Sequence, residues 1–253
     1  MRTNTDIEGI KRVAKLLLEM PVEVDKKFEF ICHHPFIKDT YTPVPCEKTE
    51  SNPAGMEMLD VRDQDNLERI KSFYIEGIDS CKKALDFFIV INKPYSGVFF
   101  KLIKDLLNRK DYTDMLETLW TMMEYPNKDV NVTQKEWVSY WKKADLDYLY
   151  SFEDKKKLDS LPDEFYVYRG LMERADLKAL SWTLSLDKAI WFATRWNNKG
   201  KVYRGLWKKE DILAYLSCRN EEEIVVDWHD LENIEEVIYE KNKKNRNICR
   251  SYW

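Results

Sequence analysis

The chain has 253 residues, with 41 Lys or Arg against 45 Asp or Glu, a formal charge of −4, and only 7 Gly. Its 9 Trp, 14 Tyr and 11 Phe supply too much aromatic surface for a disordered chain, and the length is ample for a buried core. No apolar run approaches the about 18 residues of a membrane helix, and the absence of G-x-G-x-x-G and G-x-x-x-x-G-K-[ST] excludes a Rossmann-type dinucleotide fold and a P-loop.

The first part of the chain reads as helical. Over residues 6–20, Ile7, Ile10, Val13, Leu16 and Leu17 fall on one helical face. Residues 35–54 are rich in Pro, Thr, Ser and Asn and predict a loop. The helical pattern returns over 66–91, where Pro94 interrupts it, and again over 96–107 and 112–123. Thr133 and Glu136 form a capping box that opens a helix through Lys143. Near Asp163 the period changes to alternation. Residues 164–169 predict a strand ending at Gly170, and 180–184 a second. Ser185 is the expected N-cap of a helix that turns Ala189, Ile190, Phe192, Ala193 and Trp196 inward. Further strands are expected at 201–207, 212–216, 223–227 and 237–239. The fold class expected is α+β with a mainly antiparallel sheet.

Three segments of the second half carry candidate chemistry. Tyr168-Arg169-Gly170 closes one strand, Ser181-Trp182-Thr183 forms the next, and Glu221-Glu222-Glu223 stands directly before the apolar run Ile224-Val225-Val226. Arg169 offers a permanently charged planar fork suited to phosphate. Gly170 would let the backbone approach a ligand closely. In an extended segment Glu221 and Glu223 point to one side and Glu222 to the other.

In this order the segments resemble the Arg, Ser and Glu-x-Glu motifs of the arginine–serine–glutamate class of mono-ADP-ribosyltransferases. Residues 181–193, SWTLSLDKAIWFA, look like the serine strand and following helix of phage and bacterial members. The resemblance covers about the last half of the chain, including a helical lead-in over 112–164. It implies an ADP-ribosyltransferase-like β-sandwich with helices at 111–253, and leaves 1–110 as a helical region, either a target-recognition element or a packing layer.

The resemblance also implies roles. NAD would be consumed as substrate, its phosphates bound by Arg169, with Tyr168, Gly170, Ser181, Trp182, Thr183 and Phe192 lining the cofactor site. Glu223 would be catalytic, stabilising the oxocarbenium-like centre formed as the nicotinamide–ribose bond breaks. Ser181 would hydrogen-bond Glu223 and the ribose. Glu221 would orient or activate the acceptor, with arginine as the associated acceptor type. The family's usual Ser-Thr-Ser is here Ser-Trp-Thr. Tyr203-Arg204-Gly205 is a competing copy of the Arg motif, and chain order favours Arg169. The setting implied is a phage protein that modifies a host protein, including defence machinery in anti-CRISPR cases.

Two other readings stay open: a binding protein that blocks its partner without catalysis, and transfer to nucleic acid through Lys155, Lys156, Lys157, Lys208 and Lys209. The near-balanced charge weighs against the latter. Cys32-His33-His34 with Cys46 matches no standard zinc spacing, so no metal is expected. Scattered cysteines without C-x-x-C, and charges throughout Met1–Met20, suggest a cytoplasmic protein with free thiols and no membrane partner.

Overall fold

The computed structural model describes residues 2–123, 125–172, 176–195 and 200–239. The chain forms two compact units, 1–124 and 125–253. The boundary falls after the expected helix at 112–123, which belongs to the first unit. Among the described residues no helix is long and apolar enough to cross a membrane.

The first unit is mainly helical. Helix α1 (Ile7–Leu18) starts at Asp6, whose carboxylate accepts the Gly9 amide at 2.7 Å. Its buried line is Ile10, Ala14 and Leu18, while Leu16, expected inward, is 73% exposed. Small Ala14 lies at the middle of the stripe. Two short ribbons follow: β1 (Glu23–Val24) with β2 (Cys32–His33), and β3 (Tyr41–Pro45) with β4 (Met56–Asp60). The second ribbon lies where a loop was expected. Pro43 and Pro45 sit opposite Met58 and Met56, while the Cys46 amide bonds the Gly55 carbonyl. Alternation therefore turns both prolines' missing donors to the unpaired edge, where a ladder loses nothing. Helix α2 (Gln64–Ser80) ends at Cys81, short of the run expected through residue 91, and a separate turn α3 (Phe87–Val90) follows. Helix α4 (Ser96–Ile103) buries Phe99, Phe100 and Ile103, and packs on α5 (Arg109–Met122) through Phe100 and Tyr112, with ring centroids 5.3 Å apart.

Cys32, His33, His34 and Cys46 do not converge. His33 pairs with Asp25 at 2.8 Å, whereas the buried His34 accepts the Phe36 and Ile37 amides on Nδ1. No disulfide forms among the described residues.

The second unit opens with α6 (Gln134–Lys143), and its capping box forms: the Glu136 amide donates to the Thr133 hydroxyl at 3.2 Å, and the Thr133 amide to the Glu136 carboxylate at 2.9 Å. Helices α7 (Leu146–Leu149) and α8 (Phe152–Asp159) lead to the strands: β5 (Glu164–Leu171), β6 (Ser181–Thr183), β7 (Lys201–Lys208), β8 (Ala214–Leu216), β9 (Glu223–Val225) and β10 (Glu232–Val237). Helix α9 (Leu186–Thr194) lies between β6 and β7 and is capped by Ser185, whose hydroxyl accepts the Lys188 amide.

The architecture is α+β, with one antiparallel sheet ordered β10-β7-β5-β6-β9-β8. All the strands described in this unit pair into that one sheet. The strands expected at 180–184, 212–216 and 223–227 are three residues each and lie in this sheet. The last strand is Glu232–Val237 rather than 237–239, and Ile238 is exposed. Trp196 lies outside the described residues.

One sheet face buries Phe165, Val167, Trp182, Trp207, Tyr215 and Ile224, covered in part by Tyr150, Leu158 and Leu161. The other carries α9, with Ala189 and Ala193 against Val202. At the β8 edge the Tyr215 amide donates to the Tyr150 hydroxyl at 3.1 Å. At the opposite edge β10 is exposed, with Glu235 and Glu236 paired to Arg204 and Lys201.

Candidate functional site

The three motif segments become neighbours. In the chain, β9 follows β7 and β8, yet in the sheet it lies against β6, so the Arg169, Ser181 and Glu223 strands stand side by side at the centre. The register pairs Tyr168 with Thr183, and Thr183 with Glu223. These residues therefore form a row on the face that carries α9, with Ser181 two residues along. Trp182 and Ile224 alternate to the other face.

Glu223 is 5% exposed. A buried carboxylate needs charge or hydrogen-bond partners, and Arg219 supplies one: its Nη2 lies 3.4 Å from Glu223 Oε2. The same nitrogen lies 3.6 Å from Glu221 Oε2. The two carboxylates thus converge, although by a different route from the extended segment expected. Asn220 and Glu222 have φ of 52° and 49°, a left-handed conformation that costs non-glycine residues about 1 kcal/mol or more. Strand β9 begins only at Glu223, and a turn delivers Glu221. Glu222 points away, to Lys157 at 3.3 Å.

Thr183 fixes that turn. Its buried hydroxyl donates to the Glu221 carbonyl at 2.6 Å and accepts the Ser185 amide, while the Leu184 amide holds the Glu222 carbonyl. The cross-strand partner of Glu223 is thus Thr183, and Ser181, expected to support Glu223 directly, pairs with Val225. Burial raises the Glu221 carboxyl above the ordinary range. Arg219, Arg195 and Lys188 pull against burial, and Glu223 adds to it.

Arg169 is in phase with Phe165 and Val167 along β5, out of phase with the Tyr168–Thr183–Glu223 row. Its Nη1 donates to the Ser181 carbonyl and its Nε to the Asp176 carbonyl at 3.2 Å. In this structure the fork holds the backbone that enters β6. Burial lowers its pKa to about 10, opposed by the charges of Glu223 and Asp176, so it stays protonated at neutral pH. Arg204 of the competing motif is engaged with Glu235 and lies 4.4 Å over the Tyr166 ring.

Two expected ligand contacts have a different role. A Cβ on Gly170 would stand 1.9 Å from the Ala189 carbonyl oxygen, so the close approach that requires glycine is to the backbone of α9. Trp182 is 2% exposed in the core, its indole N–H donating to the Ala179 carbonyl at 2.8 Å. Its side chain therefore faces away from the Glu223 row. Phe192 is half-buried beside Trp191, and Arg195 lies 5.0 Å from the Phe192 ring centroid and 5.6 Å from that of Trp191. Tyr168 packs under α9 with Ala189 and Ala193.

The residues that sequence reasoning passed over are Arg219, Arg195 and Lys188. Only Arg219 left a signal, its place two residues before Glu221. A separate concavity of about 500 Å³, lined by Glu164, Trp207, Lys208, Asp211 and His229, lies at the far end of β5 from Arg169 and includes none of the motif residues. Comparison with protein-family models, curated proteins and solved structures returns no match.

Proposed function

We propose that the second unit is a mono-ADP-ribosyltransferase that breaks the nicotinamide–ribose bond of NAD and transfers ADP-ribose to a protein side chain, with arginine as the acceptor type. The observation that carries this reading is the adjacency of the Arg169, Ser181 and Glu223 strands, which the chain order alone would separate. A buried carboxylate at Glu223 suits the chemistry. As the C1′–N bond breaks, nicotinamide leaves with the electron pair and positive charge develops at the ribose, where a fixed negative group in a dry site is most effective. Glu221, raised by burial, suits the removal of a proton from the acceptor. Arg195, Lys188 and Arg219 lie near Glu221, and their cations could meet an anionic dinucleotide. Trp191 and Phe192 offer ring surface for nicotinamide.

A protein acceptor is favoured over nucleic acid. Lys155 pairs with Asp147, Lys157 with Glu222, and Lys209 donates to the Asp159 and Leu161 carbonyls, so three of the five lysines expected to form a basic patch are engaged locally. A host protein as target, and a phage protein acting on bacterial defence in the cytoplasm, extend the same resemblance.

The test is incubation with labelled NAD and a host lysate. Glu223→Gln, which keeps the shape and removes the charge, is expected to lower labelling and nicotinamide release at least about 100-fold. Equal labelling by wild type and variant would remove Glu223 from the mechanism.

A further inference from the structure

Arg219 occupies the place where an acceptor would be held. It lies in the turn before β9, half-exposed, with one guanidinium nitrogen 3.6 Å from Glu221 and 3.4 Å from Glu223. The turn is built to hold it there: the Asn220 amide donates to the Ser217 carbonyl at 2.8 Å, Asn220 and Glu222 take left-handed backbone angles, and Thr183 ties down the Glu221 carbonyl. A planar cation between two carboxylates is the arrangement that arginine makes best. If Glu221 and Glu223 are the acceptor-activating and bond-breaking carboxylates, the first guanidinium within their reach belongs to the chain itself.

We propose that Arg219 is a self-modification site, accepting ADP-ribose from NAD in cis; this rests on the transferase reading above. The ribose C1′–nicotinamide nitrogen bond breaks, and neutral nicotinamide leaves with the bonding pair. A guanidino nitrogen of Arg219 forms the new C1′–N bond with its own lone pair, and the proton it carried passes to the Glu221 carboxylate and then to water. No oxidant or reductant enters, and NAD is the single co-reactant. Burial of Glu221, which makes it a stronger proton acceptor than an exposed carboxylate, assists the transfer. The product carries a bulky anionic group where the guanidinium had been, so the reaction removes the contact that held the two carboxylates together.

The experiment uses the purified full chain with NAD and no other acceptor. Nicotinamide release is followed by chromatography, and the protein by intact mass and by peptide mapping with fragmentation that preserves the adduct. The expected result is one ADP-ribosyl increment mapped to Arg219, formed at a fractional rate independent of protein concentration. Arg219→Lys, scored against its own nicotinamide release, is expected to lack that increment. Nicotinamide release with Arg219 unmodified, or modification that accelerates with protein concentration, overturns self-modification in cis and leaves the transferase reading standing. No nicotinamide release overturns the transferase reading, and self-modification with it.

Discussion

Burial raises the Glu221 carboxyl above its ordinary 4.5 despite three nearby cations, and this has a consequence for stability. A carboxyl whose folded pKa exceeds its unfolded value binds its proton more tightly in the folded state. Stability is therefore greatest below the unfolded value and falls as pH rises through the raised one. Glu221→Gln, which stays neutral throughout, is expected to have a higher melting temperature than wild type near neutral pH, and the gain should vanish below about 4.5. Thermal scans across pH measure this directly, and a variant less stable than wild type at neutral pH would mean that the Arg219 contact outweighs burial. The same residue explains a failure of sequence reading. Alternation places Glu221 and Glu223 on one side of a strand, but the left-handed Asn220 and Glu222 replace that strand with a turn. The carboxylates still converge because Arg219 lies between them, and its side-chain direction depends on backbone angles that residue identity does not specify.

At the level of elements, β5 and α9 act as one piece because Gly170 allows the strand to touch the helix backbone. Gly170→Ala would place a methyl 1.9 Å from the Ala189 carbonyl oxygen, an overlap that neither backbone can relieve without moving. The expected loss is about 3 kcal/mol, at the upper end for overpacking; chemical denaturation measures it, and a change under about 1 kcal/mol would show that the helix can shift at little cost. The strand and helix were both legible, the strand from alternation over 164–169 and the helix from the Ser185 cap. Their contact was not, since glycine at a strand end reads equally as access for a ligand. The ribbon at 41–45 was hidden for a related reason: Pro43 and Pro45 suggest a loop until pairing shows that both face an unpaired edge. The α1 stripe was misphased because Ala14, the small residue at its centre, carries less apolar signal than Val13 or Leu16.

For the whole molecule, the division after Glu124 decides which truncations are sound. A chain starting at residue 111 keeps most of α5 while removing α4, and so uncovers Tyr112, which packs on Phe100, on a helix that also buries Leu116 and Trp120. It is expected to aggregate, whereas a chain starting at residue 125 is expected to stay soluble and monomeric by size-exclusion chromatography. Equal behaviour of the two would show that α5 does not depend on the first unit. The order of strands in the second unit was beyond sequence reading, because nothing local tells β9 to pass β7 and lie against β6. The six-stranded sheet also has two ends to defend, since open backbone groups on an outer strand invite another chain to pair. One end is closed by cover, with the Tyr215 amide already bound to the Tyr150 hydroxyl. The other carries charged side chains instead of cover: β10 presents Glu232, Glu235 and Glu236 along an exposed strand, the last two paired with Arg204 and Lys201, and charged side chains on an edge strand disfavour pairing with another chain. Charge on this outermost strand is thus a device against edge-to-edge association rather than a part of the site.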